Sequence, residues 1–334
     1  MPVDGAAAAH AGGRRLTGDA GGDAVRGQRS VNAPNPADIL VWRSLLFVPA
    51  NNPRFIDKAH TRGADAIILD LEDSVPVGER PDARRKLVDA VAQVGRAGAD
   101  VLVRINSEPE QAAADLDAAV LPGVRALLVP KVDDANTLQS LSRDVSQLEA
   151  ERGMAGGSIR FVVLVESPVG LLNAEAIARA DARNVAMELG GEDFALSAGL
   201  VPSPETLAVP KQMILYAARA AGLVPLGILG SIAEYGDLDA YRATAERSRR
   251  FGFEGAACIH PSNVPVLLNE VFTPAPEEAE RARRIVAAYA EAERAGSGAI
   301  SIDGKMIDVP VVERAQKLLA RLDAIQAREA AASS

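Results

Sequence analysis

The sequence is poor in the residues that build covalent and soft-metal frameworks. Of 334 residues one is cysteine, Cys258, and three are histidine, His10, His60 and His260. A single cysteine excludes an intramolecular disulfide and a thiolate zinc cluster, which fits a reducing, cytoplasmic compartment. No apolar run approaches the roughly 20 residues that span a bilayer, and the N-terminus lacks the apolar stretch of a secretory signal. An excess of positive charge is also missing: 36 Lys and Arg stand against 45 Asp and Glu, a formal charge of -9. A field of that sign repels nucleic acid and anionic lipid, so neither is an expected partner. A small anionic substrate would need a local positive site, from a metal ion or arginines. What is present, 48% hydrophobic and 24% charged residues, suffices for a sizeable core and a charged exterior.

Residues 1–38 are rich in Gly and Ala, carry scattered charge and show no apolar periodicity, the pattern of a disordered leader. Its arginines also suit a transit peptide, but Asp4, Asp19 and Asp23 break the acid-poor rule for such segments. From Arg43 onward short apolar runs alternate with longer stretches of helical spacing, as in βα units around a parallel sheet. Eight strands are predicted: Ser44–Val48, Ala66–Leu71, Val101–Ile105, Ala126–Val129, Arg160–Val165, Val185–Leu189, Val224–Ile228 and Ala256–Ile259. Helices are predicted over Pro53–Arg62, Arg80–Val94, Ala135–Glu151, Gly170–Ala180, Thr206–Ala221 and Leu238–Phe251. Eight such strands imply a closed (β/α)₈ TIM barrel over residues 39–275. An open doubly wound sheet competes, but the loop after its first strand, VPANNPRF, lacks the Gly-rich phosphate fingerprint. Residues 276–334 read as a C-terminal extension: a helix over Pro276–Ala295, a hairpin turning at Asp303-Gly304, and a helix from Pro310. It would act as a lid or an inter-subunit arm.

In such a barrel the chemistry gathers where the strands end. The second strand ends in Asp70, Glu72 and Asp73, the third in Arg104 and Asn106, the fourth in Lys131, the fifth in Glu166, the sixth in Glu192 and Asp193, the eighth in His260. Carboxylates crowded at one rim repel one another unless a cation compensates them. Oxygen ligands without a Cys or His cluster point to Mg²⁺, with Mn²⁺ possible, held by one or two carboxylates plus water or substrate. Glu166 and Asp193, on adjacent strands, are the best metal pair. Arg104 is suited to gripping a substrate carboxylate bidentately; the bland alternative is a salt bridge to Glu72 or Asp73. Each acid could equally cap a following helix. His260 is read as structural, His60 as a helix-surface residue, and Cys258 as a buried small hydrophobe. Glu188, inside the sixth strand, lacks the apolar character expected there.

The stretches RSLLFVPANNPRF, GADAIILDLEDSVP, LVRINS, LLVPKV, VLVESPVGLLN, GGEDF, CIHPSNVPVLLNEVF and DGKMIDVPVVERA resemble the HpcH/HpaI aldolase and citrate-lyase-β superfamily, especially its CoA-ester lyases, from about Arg43 to Leu319. The resemblance implies a (β/α)₈ barrel in homotrimers or homohexamers. It also implies Mg²⁺ on Glu166 and Asp193, substrate oxygen bound by Arg104 and Glu166, and contacts from Asp70, Glu72 and Asp73 to metal-bound waters. Asp308, in the MID motif, would come from a neighbouring subunit and handle the proton on the acetyl methyl. The implied reaction cleaves or forms a 3-hydroxyacyl-CoA such as malyl-CoA or citramalyl-CoA, with acetyl-CoA and an oxo acid as partners. Arg43, Arg54, Lys58 and Arg80 are candidates for holding the CoA thioester. The seventh-strand text LGILGSIAEYGDLDAY and the stretch VPKQMILYAARAAGL depart from the usual pattern, which bears on substrate identity. Two other readings are a CoA-independent metal aldolase acting on pyruvate-derived hydroxy-oxo acids and a non-catalytic citrate-lyase-β-like subunit. The DGKMID segment favours the CoA-ester lyase over the first, and the intact Arg104, Glu166 and Asp193 set argues against the second.

Overall fold

The computed structural model describes residues 35–231, 236–296 and 298–332, and within them all side chains but those of 265–267. The leader read over residues 1–38 therefore lies outside the described residues except at its end, where Pro36–Asp38 form a short 3₁₀ turn capped by the Asn35 side chain.

Eight strands form one parallel sheet: β1 Ser44–Pro49, β2 Ala66–Asp70, β3 Asp100–Arg104, β4 Val124–Val129, β5 Arg160–Val165, β6 Asn184–Leu189, β7 Val224–Pro225 and β8 Ala256–Cys258. Their order is β7-β6-β5-β4-β3-β2-β1-β8, and a parallel bridge between Leu226 and Gly255 joins the two ends. Amides complete that seam, Gly227 donating to the Gly255 carbonyl at 2.8 Å and Glu254 to that of Pro225 at 3.1 Å. The result is the (β/α)₈ barrel. β7 is shorter than its apolar text Val224–Ile228 suggests, because Pro225 has no N–H to donate and Gly227 turns the chain at φ 132.

Side chains alternate across each strand with a period of two. Leu45, Ile68, Leu102, Leu128, Leu164 and Ala186 point inward and pack as one cluster inside the barrel. The residues between them, such as Leu46, Leu69, Val103, Val163 and Met187, face the surrounding helices. Continuing the inward series by one step places Asp70, Arg104, Glu166 and Glu188 at the C-terminal end of the interior, where apolar packing gives way to charge.

The helices follow the expected βα alternation with local corrections. The segment Arg80–Val94 breaks at Lys86 into Arg80–Arg85 and Leu87–Gly95, and Gly170–Ala180 divides at Asn173 into Pro168–Leu172 and Ala174–Ala178. Two helices not foreseen are Pro109–Ala119 and Gly191–Ala198. The second matters, because it makes Glu192 and Asp193 first-turn residues, where the helix dipole favours negative charge.

Beyond the barrel, helix Pro276–Arg294, the hairpin strands β9 Ile300–Ile302 and β10 Lys305–Ile307, and helix Val309–Ala332 share a small core around Ile285, Tyr289, Ile307 and Val312. The hairpin turns at Asp303 and Gly304, both in the left-handed region, as a tight two-residue turn requires. The last helix crosses the N-terminal end of the barrel. There Arg328 reaches Asp100 at 3.0 Å, Glu329 meets Arg43 at 2.7 Å, and Ile325 packs on Val41.

Candidate active site

A cavity of about 720 Å³ opens at the C-terminal end of the barrel, lined among others by Phe47, Arg54, Asp70, Asp73, Arg104, Glu166, Glu188, Asp193 and Lys211. Five of the seven predicted site residues line it: Asp70, Asp73, Arg104, Glu166 and Asp193. Glu72 lies behind them, 2% exposed. Asp308 does not line the cavity of its own chain; it precedes helix Val309–Ala332, where its Oδ1 accepts from the Val311 amide at 3.4 Å.

Arg104 is held from three sides. Its Nε and Nη2 donate to the two Asp70 oxygens at 2.6 and 2.8 Å, and Nη1 lies 3.0 Å from both Glu72 and Asp73. Its guanidinium also stacks 4.9 Å from the Phe47 ring centroid. Ser74 and the Glu72 amide occupy Asp70 further. Asp70 stays ionised: burial opposes the charge, but Arg104, Ser74 and the Glu72 amide hold its carboxyl below the usual range. The salt-bridge reading of Arg104 is thus present in this structure. Asp73, with a side chain 55% exposed, is the partner a ligand can displace most readily.

Glu166 contrasts with Asp70. It is 6% exposed and accepts one hydrogen bond from described residues, from the Lys131 amide at 2.7 Å. Burial first, then the negative charges of Asp193 and Glu72, push its carboxyl up to about 7. Its other oxygen lies against Gly190, where a Cβ would fall 2.4 Å from it; only glycine leaves room for that carboxylate. Lys131 presents its amide from φ 54, a left-handed conformation that a lysine adopts at a cost of about 1–3 kcal/mol, while its Nζ reaches Glu72 at 2.6 Å. Burial and Asp73 raise the Glu72 carboxyl against Arg104 and Lys131, and its Oε2, beside Arg104, accepts no hydrogen bond.

These residues suit a hard divalent cation. Glu166 and Asp193 bring uncompensated negative charge together, with Glu72 buried behind them between Arg104 and Lys131. Among the described residues no three Asp, Glu, His or Cys side chains are arranged to enclose an ion. A Mg²⁺ ion needs only one or two carboxylates, its other positions being taken by water or substrate.

Of the cations considered for CoA, Arg54 and Lys58 line the mouth, together with Arg62, which sequence reading passed over. Arg43 sits at the opposite end of the barrel, 4% exposed and bound to Asp65 at 2.8 Å. Arg80 does not line the cavity; its Nε donates to the Val75 carbonyl. His260 lines the mouth and caps the 3₁₀ turn Pro261–Asn263, its Nδ1 accepting from the Ser262 amide. Cys258 is fully buried, and burial raises its thiol.

The chain is similar to known proteins over most of its length. Residues 43–261 match the model of the family described as HpcH/HpaI aldolase/citrate lyase. The citrate lyase subunit beta of Leuconostoc mesenteroides subsp. cremoris is 32% identical over 280 residues, 83% of this chain and 92% of that protein. A (3S)-malyl-CoA thioesterase of Cereibacter sphaeroides (strain KD131) is 35% identical over 289 residues, 86% and 96% of the two chains. Among solved structures, the CitE protein of Mycobacterium tuberculosis in complex with magnesium, acetoacetate and coenzyme A superposes with a TM-score of 0.66 at 30% identity, covering 84% of this chain and 97% of that one. The chain belongs to the HpcH/HpaI aldolase/citrate lyase family.

Proposed function

We propose that this protein is a Mg²⁺-dependent carbon–carbon lyase that cleaves or forms a 3-hydroxyacyl-CoA of the malyl-CoA or citramalyl-CoA type. The observation that carries the reading is the buried Glu166 carboxylate, supported by one amide, beside Asp193 in a cavity large enough for an acyl thioester. The magnesium, acetoacetate and coenzyme A of the M. tuberculosis complex support the same assignment. Glu166 and Asp193 would hold Mg²⁺ or Mn²⁺, with Glu72 turned toward its waters. The bound ion would supply a Lewis acid for a substrate carboxylate and neighbouring oxygen.

The chain's own groups divide the remaining work. Asp70 fixes the Arg104 fork, and a substrate carboxylate takes the place of Asp73 on Nη1, so that Arg104 neutralises charge on the oxo-acid side. In cleavage the hydroxyl gives up its proton to solvent, the C2–C3 bond breaks, the hydroxyl carbon becomes the carbonyl of the oxo acid, and the bonding pair passes to the thioester as its enolate. Asp308 of a neighbouring subunit donates the proton that makes the acetyl methyl, and acts as base in the reverse direction. Arg54, Lys58 and Arg62 at the mouth would meet the phosphates of CoA.

That role of Asp308 requires an oligomer, and the homotrimer or homohexamer implied by the family resemblance would supply one. It is supported by an apolar stripe on helix Pro204–Ala221, where Val209, Met213 and Tyr216 are 65%, 38% and 60% exposed at the i, i+4, i+7 spacing of one helix face. A cytoplasmic location is consistent with the lone cysteine and with a described chain in which no helix is long and apolar enough to cross a membrane.

The test is mass spectrometry of the purified protein with Mg²⁺, acetyl-CoA or propionyl-CoA, and glyoxylate, pyruvate or oxaloacetate, with an EDTA control. A metal-dependent adduct is expected, and its absence from every mixture would remove the reading. Asp308→Asn is expected to slow turnover by roughly 10²–10⁴-fold. Mixing Asp308→Asn with Glu166→Ala protomers should raise activity well above that of either alone, because a mixed assembly contains intact sites built from two subunits. The thioesterase relative raises a second reading, hydrolysis of the thioester. Offered malyl-CoA, a lyase releases glyoxylate and acetyl-CoA, whereas a thioesterase releases malate and free CoA.

A further inference from the structure

The cavity has a second polar wall that this mechanism does not use. Glu188 on β6 and Lys211 on helix Pro204–Ala221 are 7% and 5% exposed, and both line the cavity with Ile228, Gly230 and Ala257. Two charged groups next to the apolar interior of the barrel are costly to bury. They are not spent on each other: each biases the other's titration, but no nitrogen–oxygen separation within 4.0 Å joins them among the described residues. Lys211 Nζ donates to the Ile228 and Gly230 carbonyls, both at 2.6 Å, and an ammonium has three hydrogens. The Glu188 carboxyl accepts from the Ala257 amide, beyond the point where β7 ends, and has further acceptor capacity.

The location fits a substrate. Glu188 near the end of β6 and Gly190 just beyond it are two residues apart, and Gly190 cradles Glu166. Two residues of strand span roughly 7 Å, comparable to a three-carbon oxo acid reaching from its chelated carboxylate to its far substituent.

We propose that Glu188 and Lys211 form a specificity subsite for a hydroxyl group on the oxo-acid part of the substrate, the ammonium donating to the hydroxyl oxygen and the carboxylate accepting its hydrogen. This rests on the lyase reading for the orientation of the oxo acid, but binding alone tests it. An apolar substituent leaves both charged groups unsatisfied, and rejection on that ground is strong.

The experiment is calorimetric titration of the Mg²⁺-loaded protein with hydroxypyruvate and with pyruvate. It is run on the wild type, Glu188→Leu, Lys211→Met and the conservative Lys211→Arg, with melting temperature as the folding control. The wild type is expected to bind hydroxypyruvate at least about 10-fold more tightly, the worth of one or two hydrogen bonds to charged groups. The preference should fall below about twofold in Glu188→Leu and Lys211→Met and return in part in Lys211→Arg. Equal affinity of the wild type for the two acids overturns the subsite, whether or not the variants fold, and so does a preference that survives in folded Glu188→Leu and Lys211→Met. Adduct formation with acetyl-CoA is followed on the same samples. A hydroxyl preference without any adduct keeps the subsite and discards the lyase, whereas adducts without a preference do the reverse.

Discussion

Two buried carboxylates on neighbouring parts of the barrel have opposite fates. Glu149, fully buried at the end of helix Ala135–Glu151, accepts from Arg183 through both oxygens at 2.9 and 2.7 Å, from the Gly157 and Ile159 amides at 2.8 Å each, and from Ser158 at 3.1 Å. Burial works against its charge, but Arg183 and the two amides bring its carboxyl down to about 2. Glu166, about as inaccessible, has one amide and two negative neighbours, and stands at about 7. The first is a charge whose compensation is built into the chain. The second is a charge whose compensation must come from outside, and that difference separates a structural ion pair from a binding site more sharply than burial does.

Breaking the compensated pair should have the largest effect. Arg183→Met strands Glu149 in the interior and is expected to cost about 3–5 kcal/mol of stability, read as a lower midpoint of denaturant unfolding. Glu166→Gln, which removes a charge held by a single amide, should leave the metal-free midpoint unchanged or higher. If both variants lost comparable stability, the contrast between the two sites would be wrong.

Gly190→Ala sharpens the comparison from the other side. The added methyl falls within 2.5 Å of Glu166 atoms, so the carboxylate must move. Overpacking of this kind costs about 1–3 kcal/mol, and Mg²⁺ affinity should drop at least about 10-fold, as seen by calorimetry. A smaller effect is the pH dependence of the metal-free fold. Glu166 and Glu188 both rise from 4.5 to about 7, Glu188 by burial. Groups that bind protons more tightly folded than unfolded contribute stability that is complete below pH 4.5 and is lost as pH rises through about 7. The melting temperature of the metal-free protein should therefore decline between about pH 5 and pH 8, and less steeply in Glu166→Gln. A profile unaltered by the substitution would remove Glu166 as a source of the slope.

Much of this was legible in the sequence because the barrel repeats a simple rule. Alternating apolar residues mark the strands, and the first charged residue to replace an inward one marks the rim; Ile68 to Asp70, Leu102 to Arg104 and Leu164 to Glu166 follow it. Ala186 to Glu188 follows the same rule one layer deeper, yet its purpose could not be read from β6 alone, because Lys211 lies on a helix with 22 residues between them. The closing seam of the barrel was also illegible. It depends on Pro225 lacking a donor and on Gly227 turning, so that an apolar stretch of five yields two strand residues. Arg43 misled for a related reason: a basic residue before β1 belongs to the N-terminal end of the barrel, where Asp65 and Glu329 neutralise it.

The most direct test of the uncompensated site is a calorimetric titration of the metal-free protein with Mg²⁺ near pH 8, alongside Glu166→Gln and Asp193→Asn. One ion per chain is expected for the wild type, with binding lost or weakened at least about 100-fold in either variant, each of which removes a charged oxygen ligand. Undiminished Mg²⁺ binding in both variants would contradict the account.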